Sequence, residues 1–293
     1  MTGKGGVGKS TLSAALALVA ARAGKRVVVC EIEGPSAVAP LLGAARVTSG
    51  EPPRPIGEGV HLAVLCPEEG IKSYLADKIH VPGIIDLVFK QPVVSRFFRA
   101  APAFSEMGVL YAISRLLDER EGGRPKWDHV IVDLPASGHA VGMLEAPFVG
   151  KRIFVAGPVR ALCESIEKIL VDHELATCAV VTLPEELPVN EALELSDKLR
   201  QRGLRVEAVL ANAVEDDGLA PGEREALERA QRHGEQPLIE GAIAAARRAA
   251  RGSETLRRLA DEMRTAPVPI SYRLERGRAL VREIADELER AAS

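Results

Sequence analysis

The sequence predicts an α/β protein: a mainly parallel sheet with helices on both faces. Three observations predict it. Short β-branched runs, such as residues 26–33 (RVVVCEIE), 127–133 (WDHVIVD) and 204–214, alternate with stretches of helical periodicity, the pattern of repeated β–α units. The runs are apolar almost throughout rather than alternating, as strands buried on both faces are. A glycine-rich turn opens directly onto a helix near residue 10, and in open α/β sheets the crevice at the strand ends is where ligands bind.

The elements follow in order. Leu12, Leu16, Val19 and Ala23 recur at helical spacing over 10–23, and Gly24 stops that helix. Residues 26–33 form a buried strand ending in Glu33-Gly34-Pro35-Ser36. Residues 40–59, rich in Pro and Gly, are expected to be loop, and 60–65 a short strand. Helical pieces broken by Pro82, Pro92 and Pro102 fill 71–121, a helical insertion within one domain spanning 1–293. Its apolar residues (Ile84, Val88, Phe97, Phe104, Tyr111) suit either a cover for the sheet edge or a lid that binds a client. The strand at 127–133 ends in Asp133-Leu134-Pro135-Ala136-Ser137-Gly138-His139. Strands are then expected at 152–156, 176–183 and 204–214, with helices from Pro158 to about 173 and over 189–202. Helices interrupted near Gly234 and Gly252 occupy 221–264, an edge strand lies at 267–270, and a last helix begins at Gly277.

A net charge of -3 and 3% aromatic residues give no electrostatic or stacking case for nucleic acid. Cys30, Cys66, Cys163 and Cys178 are scattered, with no C-x-x-C pair, so zinc is not expected and a reduced cytoplasmic setting is. No apolar run reaches the length of a membrane span.

Gly3-Lys4-Gly5-Gly6-Val7-Gly8-Lys9-Ser10-Thr11 fits the phosphate-binding loop G-x-x-x-x-G-K-[ST]. Glycines let successive N–H groups converge on an anion. Lys9 is expected to reach the β- and γ-phosphates, with the Ser10 hydroxyl on Mg²⁺. Asp133, at a strand end after an apolar run, is the carboxylate expected near Mg²⁺, through water. Gly138 is placed to let a backbone N–H approach the γ-phosphate, while His139 is weighed as a packing or capping residue. Only Met1-Thr2 precede Gly3, whereas such a loop normally follows a buried strand. Either the start lies upstream or the sheet lacks its central strand.

Lys4 is the second lysine of the loop. K-G-G-V-G-K-S-T resembles the loop of the signature-lysine P-loop ATPases. With the Asp133-x-Pro-x-x-Gly-His segment and Asn212, the chain is similar to the arsenical-pump and guided-entry ATPase family, and to its single-domain bacterial anion-transporting branch. The resemblance implies ATP and Mg²⁺ as ligands, bound by Gly5, Gly6, Val7, Gly8, Lys9, Ser10 and Thr11. It implies Lys4 acting across a dimer interface on the partner's nucleotide, in a homodimer or a heterodimer with a paralogous ATPase. Glu33, 24 residues after Lys9, stands where the family's water-polarising Asp is expected. Asn212 would bond adenine beside Pro269 and Ile270.

Departures shape the functional expectation. The guided-entry zinc C-x-x-C is absent, and so are clustered metalloid-binding cysteines and a second ATPase half. The first reading is therefore a dimeric ATP-hydrolysing switch coupled to an unknown client or membrane protein. The alternatives are the motor of an oxyanion or metalloid efflux system, or a positioning ATPase of the septum and plasmid-partition type. A nitrogenase-type reductase needs a cysteine where Ala136 and Ser137 stand.

Overall fold

A computed structural model describes residues 1–78, 91, 102–216, 222–223, 225–226, 229 and 237–292. Ten strands and nine helices are introduced here in chain order among those residues. The phosphate loop links β1 (Thr2–Gly3) to α1 (Lys9–Arg22), followed by β2 (Val27–Ile32) and the short α2 (Val38–Leu41). Then come β3 (Arg54–Gly57), β4 (Val60–Leu65), α3 (Pro67–Lys78), α4 (Pro102–Asp118) and a small hairpin of β5 (Arg120–Glu121) and β6 (Arg124–Pro125). After β7 (His129–Val132), helices α5 (Ser137–Ile153) and α6 (Pro158–Val171) precede β8 (Cys178–Thr182). The chain continues through α7 (Glu186–Gln201), β9 (Val206–Val214), α8 (Pro237–Glu262), β10 (Pro267–Ser271) and α9 (Gly277–Ala292).

The strands form two four-stranded ladders, β3-β4-β2-β7 and β1-β8-β9-β10, parallel except where β3 runs against β4. They meet at Met1. Its α-amino group donates to the Val132 carbonyl at 2.8 Å, and the Leu134 N–H donates to the Met1 carbonyl at 3.0 Å. Burial lowers the pKa of that ammonium, with the Cys178 and Asp133 charges opposing. A two-residue strand, β1, stands next to that junction, paired with β8. Gly3, at φ +148°, is required there, because a Cβ would stand 2.2 Å from the Val181 carbonyl oxygen.

Strand β2 shows how both faces fill. Val27 and Val29 pack with Leu12, Leu18, Ile270 and Val281 under α1 and α9. Val28 and Cys30 pack with Met107, Leu144, Val189 and Leu195 under the helices of the other face. A strand buried on both sides has no reason to alternate apolar with polar, which is why its sequence reads as a continuous run.

Three expectations are corrected. Residues 54–57 are strand, not loop. Pro55 is tolerated because β3 is an edge strand, where a missing donor costs little. Residues 152–156 are not strand: α5 continues to Ile153, and β8 pairs directly with β1. Ile153 and Val155 are 63% and 83% exposed, so no sheet buries this run. Gly252 does not interrupt α8, whose 26 residues run through it. One glycine costs an exposed helix only about 1 kcal/mol. Gly234, Pro82, Pro92 and the apolar residues from Ile84 to Phe98 lie outside the described residues.

Candidate functional site

The loop between β1 and α1 is shaped by its glycines. Gly8 caps α1 at φ 94°, and a Cβ on it would stand 2.2 Å from the Asn212 amide nitrogen. That amide donates to the Val7 carbonyl at 2.9 Å, tying β9 to the loop. No side chain caps α1 and no acid occupies its first turn. Its first N–H groups and the positive end of its dipole are therefore left for an anion.

Lys9, half-buried, donates to the Lys4 carbonyl at 3.0 Å. Burial lowers its pKa, and Asp133 opposes that shift. The Ser10 hydroxyl donates to Asp133 Oδ2 at 2.5 Å, while Asp133 Oδ1 is buried without a hydrogen-bond partner. Burial pushes the Asp133 carboxyl up, against the Ser10 hydroxyl, the α-amino group, Lys9 and the nearby Ser13 hydroxyl. An oxygen-rich pair with a spare buried carboxylate oxygen beside a phosphate loop fits a hard divalent cation and its water shell. The second segment closes on the loop, for a Cβ on Gly5 would stand 3.7 Å from the Ala136 methyl.

The remaining expected residues are distributed unevenly. Lys4 is engaged within the chain, its Nζ 2.8 Å from Glu191 Oε1 on α7, each side chain about a third exposed. Glu33 is exposed with φ 53°, a left-handed backbone, and its N–H donates to the Leu65 carbonyl. Thr11 is partly buried on the first turn of α1, and Gly138 and His139 are exposed at the start of α5. Pro269 is exposed on β10, but Ile270 beside it is fully buried in the core, leaving only its backbone for a ligand.

Three residues escaped the sequence reading. Glu191 was hidden on a helix of ordinary polarity. Ser13, fully buried one turn after Ser10, reads as part of a small-residue helix face. Glu31 is a carboxylate inside β2, 7% exposed. The signal for it was available: a charge at an interior position of a run otherwise apolar.

A model of the anion-transporting ATPase family matches residues 1–156 and 158–236. The chain belongs to the anion-transporting ATPase family. It is similar to ATPase BagA of Mycobacterium tuberculosis, 30% identical over 226 residues, which cover 72% of this chain and 63% of that protein. It is also similar to the arsenical pump-driving ATPases of Acidiphilium multivorum and Escherichia coli. The first is 26% identical over 81% of this chain and 42% of that protein, the second 24% over 73% and 38%. The chain thus spans about 63% of the length of a relative such as BagA. Its mixed α/β architecture, a parallel sheet flanked by helices, is that of a P-loop ATPase of this family. No helix among the described residues is long and apolar enough to cross a membrane.

Proposed function

We propose that the chain binds and hydrolyses Mg·ATP, and that two subunits closing on nucleotide form a switch that grips and releases a partner. The observation that carries this is Lys9, Ser10 and Asp133 converging at an uncapped helix start. The Lys9 ammonium and the first N–H groups of α1 would hold the phosphates and stabilise charge developing on them. Ser10 and Asp133 would hold Mg²⁺, Asp133 through water. Bound there, the ion supplies positive charge that neutralises the β- and γ-phosphate oxygens. Glu33 is the carboxylate the family resemblance offers for orienting the attacking water. It is exposed and left-handed, so the loop after β2 must move to bring it in.

Lys4 supports the dimeric part of the reading. A lysine in the loop that the chain's own nucleotide does not need, sitting part-exposed on Glu191, is available to a neighbouring subunit, identical or paralogous. The test is solution mass by light scattering, with and without Mg·ATP, on wild type and Lys4→Ala. Dimerisation that requires Mg·ATP and is lost in Lys4→Ala is the expected result. A monomer under every condition removes the homodimeric switch and leaves only pairing with a paralogous ATPase.

The two relatives named arsenical pump-driving ATPases favour a second reading, the motor of an oxyanion efflux system. Here Cys30 and Cys163 are buried, and none of the four cysteines is disulfide-bonded. Stimulation of ATP turnover by arsenite would select this reading, and its absence would remove it.

A further inference from the structure

A buried carboxylate, Glu31, lies beside the part-buried Asp133 beneath the phosphate loop, and only Asp133 has a role in the site described above. Cys30 on β2 is in register with Val132 on β7, and the Asp133 N–H donates to the Cys30 carbonyl at 2.8 Å. The next pair along is therefore Glu31 and Asp133, on the sheet face that carries Val27, Val29 and Ile131 beneath α1. Side chains in register on adjacent parallel strands are neighbours.

Each carboxylate has one oxygen in use and one spare. Asp133 accepts from Ser10 through Oδ2. Glu31 accepts through Oε1 from the N–H groups of Ala37 at 2.7 Å and Val38 at 3.2 Å. Asp133 Oδ1 and Glu31 Oε2 are both buried without partners, as is the Ser13 hydroxyl.

Capping alone does not explain Glu31. Holding two N–H groups takes one oxygen, which a glutamine amide of the same length supplies without burying a second carboxylate. Placing a charge beside Asp133 in a dry site is costly, and the nearby Arg46 charge is not hydrogen-bonded to the spare oxygen to offset it.

We infer that Glu31 is a positioning residue that couples the metal end of the site to the loop after β2. Its Oε2 accepts a hydrogen bond from a water bound to the divalent ion, while its Oε1 holds Ala37 and Val38 and so sets the path of residues 33–38. The inference rests on the nucleotide reading above. Glu31, rigid and buried, would tell the loop carrying Glu33 whether a metal–nucleotide complex is seated.

The test uses Mn²⁺ in place of Mg²⁺ and ADP as nucleotide, with free Mn²⁺ measured by electron paramagnetic resonance. In Glu31→Gln the amide oxygen still accepts from Ala37 and Val38, but an N–H₂ donor replaces the spare acceptor. Mn²⁺ affinity of the ADP complex should fall by about tenfold to a hundredfold, the usual effect of losing an outer-shell partner. ADP affinity in EDTA should stay at the wild-type value. Unchanged Mn²⁺ affinity in Glu31→Gln would overturn the inference. A second measurement needs no variant: in wild type, amide exchange at Ala37 and Val38 should slow severalfold when Mn²⁺ joins ADP. No slowing likewise overturns it. If wild type binds no ADP in EDTA or with Mn²⁺, the nucleotide reading itself falls, and this inference with it.

Discussion

The two faces of the sheet bury opposite things. Under α1, near the strand ends, the interior is polar and unfinished: the Ser13 hydroxyl, Glu31 Oε2 and Asp133 Oδ1 are buried without partners. Among α3, α4, α5 and α6 the interior is apolar and incompletely filled. A cavity of about 110 Å³ is lined there by Ile71, Tyr74, Met107, Leu162 and Cys163 among others. Unpaired buried polar atoms are expensive and persist where a ligand completes them. An apolar void loses only packing contacts and stays dry. The difference teaches where binding energy acts. A charged ligand has its counterparts on the α1 face, while the cavity on the opposite face is lined mainly by apolar side chains, with the Tyr74 hydroxyl donating to the Pro158 carbonyl.

The largest expected effect is on the polar face. Lys9→Ala should lower ATP turnover by about a hundredfold or more, the scale of removing one preorganised charge-stabilising group, with little change in thermal midpoint. A turnover assay with circular dichroism melting checks both, and wild-type turnover in Lys9→Ala would break the comparison. Next is packing at the same end. Leu12→Ala, which empties a fully buried position on α1, should cost about 2–5 kcal/mol in urea unfolding. A smaller effect is expected on the apolar face. Val159→Ile adds a methylene at the cavity and should stabilise by up to about 1 kcal/mol, leaving ATP turnover unchanged. Altered turnover would show that the two faces are coupled more tightly than their contents suggest.

The smallest prediction concerns Glu106 on α4. Burial raises its carboxyl pKa, with His139 pulling the other way. A carboxyl whose folded pKa exceeds its unfolded value favours folding below the unfolded pKa, and that contribution is lost as pH rises through the folded value. Glu106→Gln should therefore gain stability relative to wild type as pH rises from acid toward neutral. Denaturant titrations at several pH values check this, and a constant difference would locate the effect elsewhere.

What the sequence disclosed follows the same division. Phosphate-loop chemistry is local, so Gly8, Lys9 and Ser10 were legible as a spacing, and Asp133 as a carboxylate ending an apolar run. Relations between distant elements were not. The partnership of Glu31 with Asp133 depends on the register of β2 against β7, and that of Lys4 with Glu191 on how α7 returns beside the loop. Most buried strands were legible because β-branched runs between helices have few other readings. The run at 152–156 shares that composition yet ends a helix, since a short apolar run has no period to distinguish the two. Strand β3 was masked by Pro55, a residue that only an edge position forgives.

That misread run carries a practical consequence. Ile153 and Val155, with Val149 nearby at 43% exposure, present β-prone side chains to solvent outside any ladder. Such exposed apolar side chains at a helix end are a surface by which molecules can stick to one another. Its neighbours oppose this: Lys151 and Arg152 stand before it, and Pro158 after it removes a donor, the arrangement of charge and proline that restrains self-association. Concentrated preparations should therefore be most prone to clumping when those charges are screened, so salt becomes a handling variable for this protein.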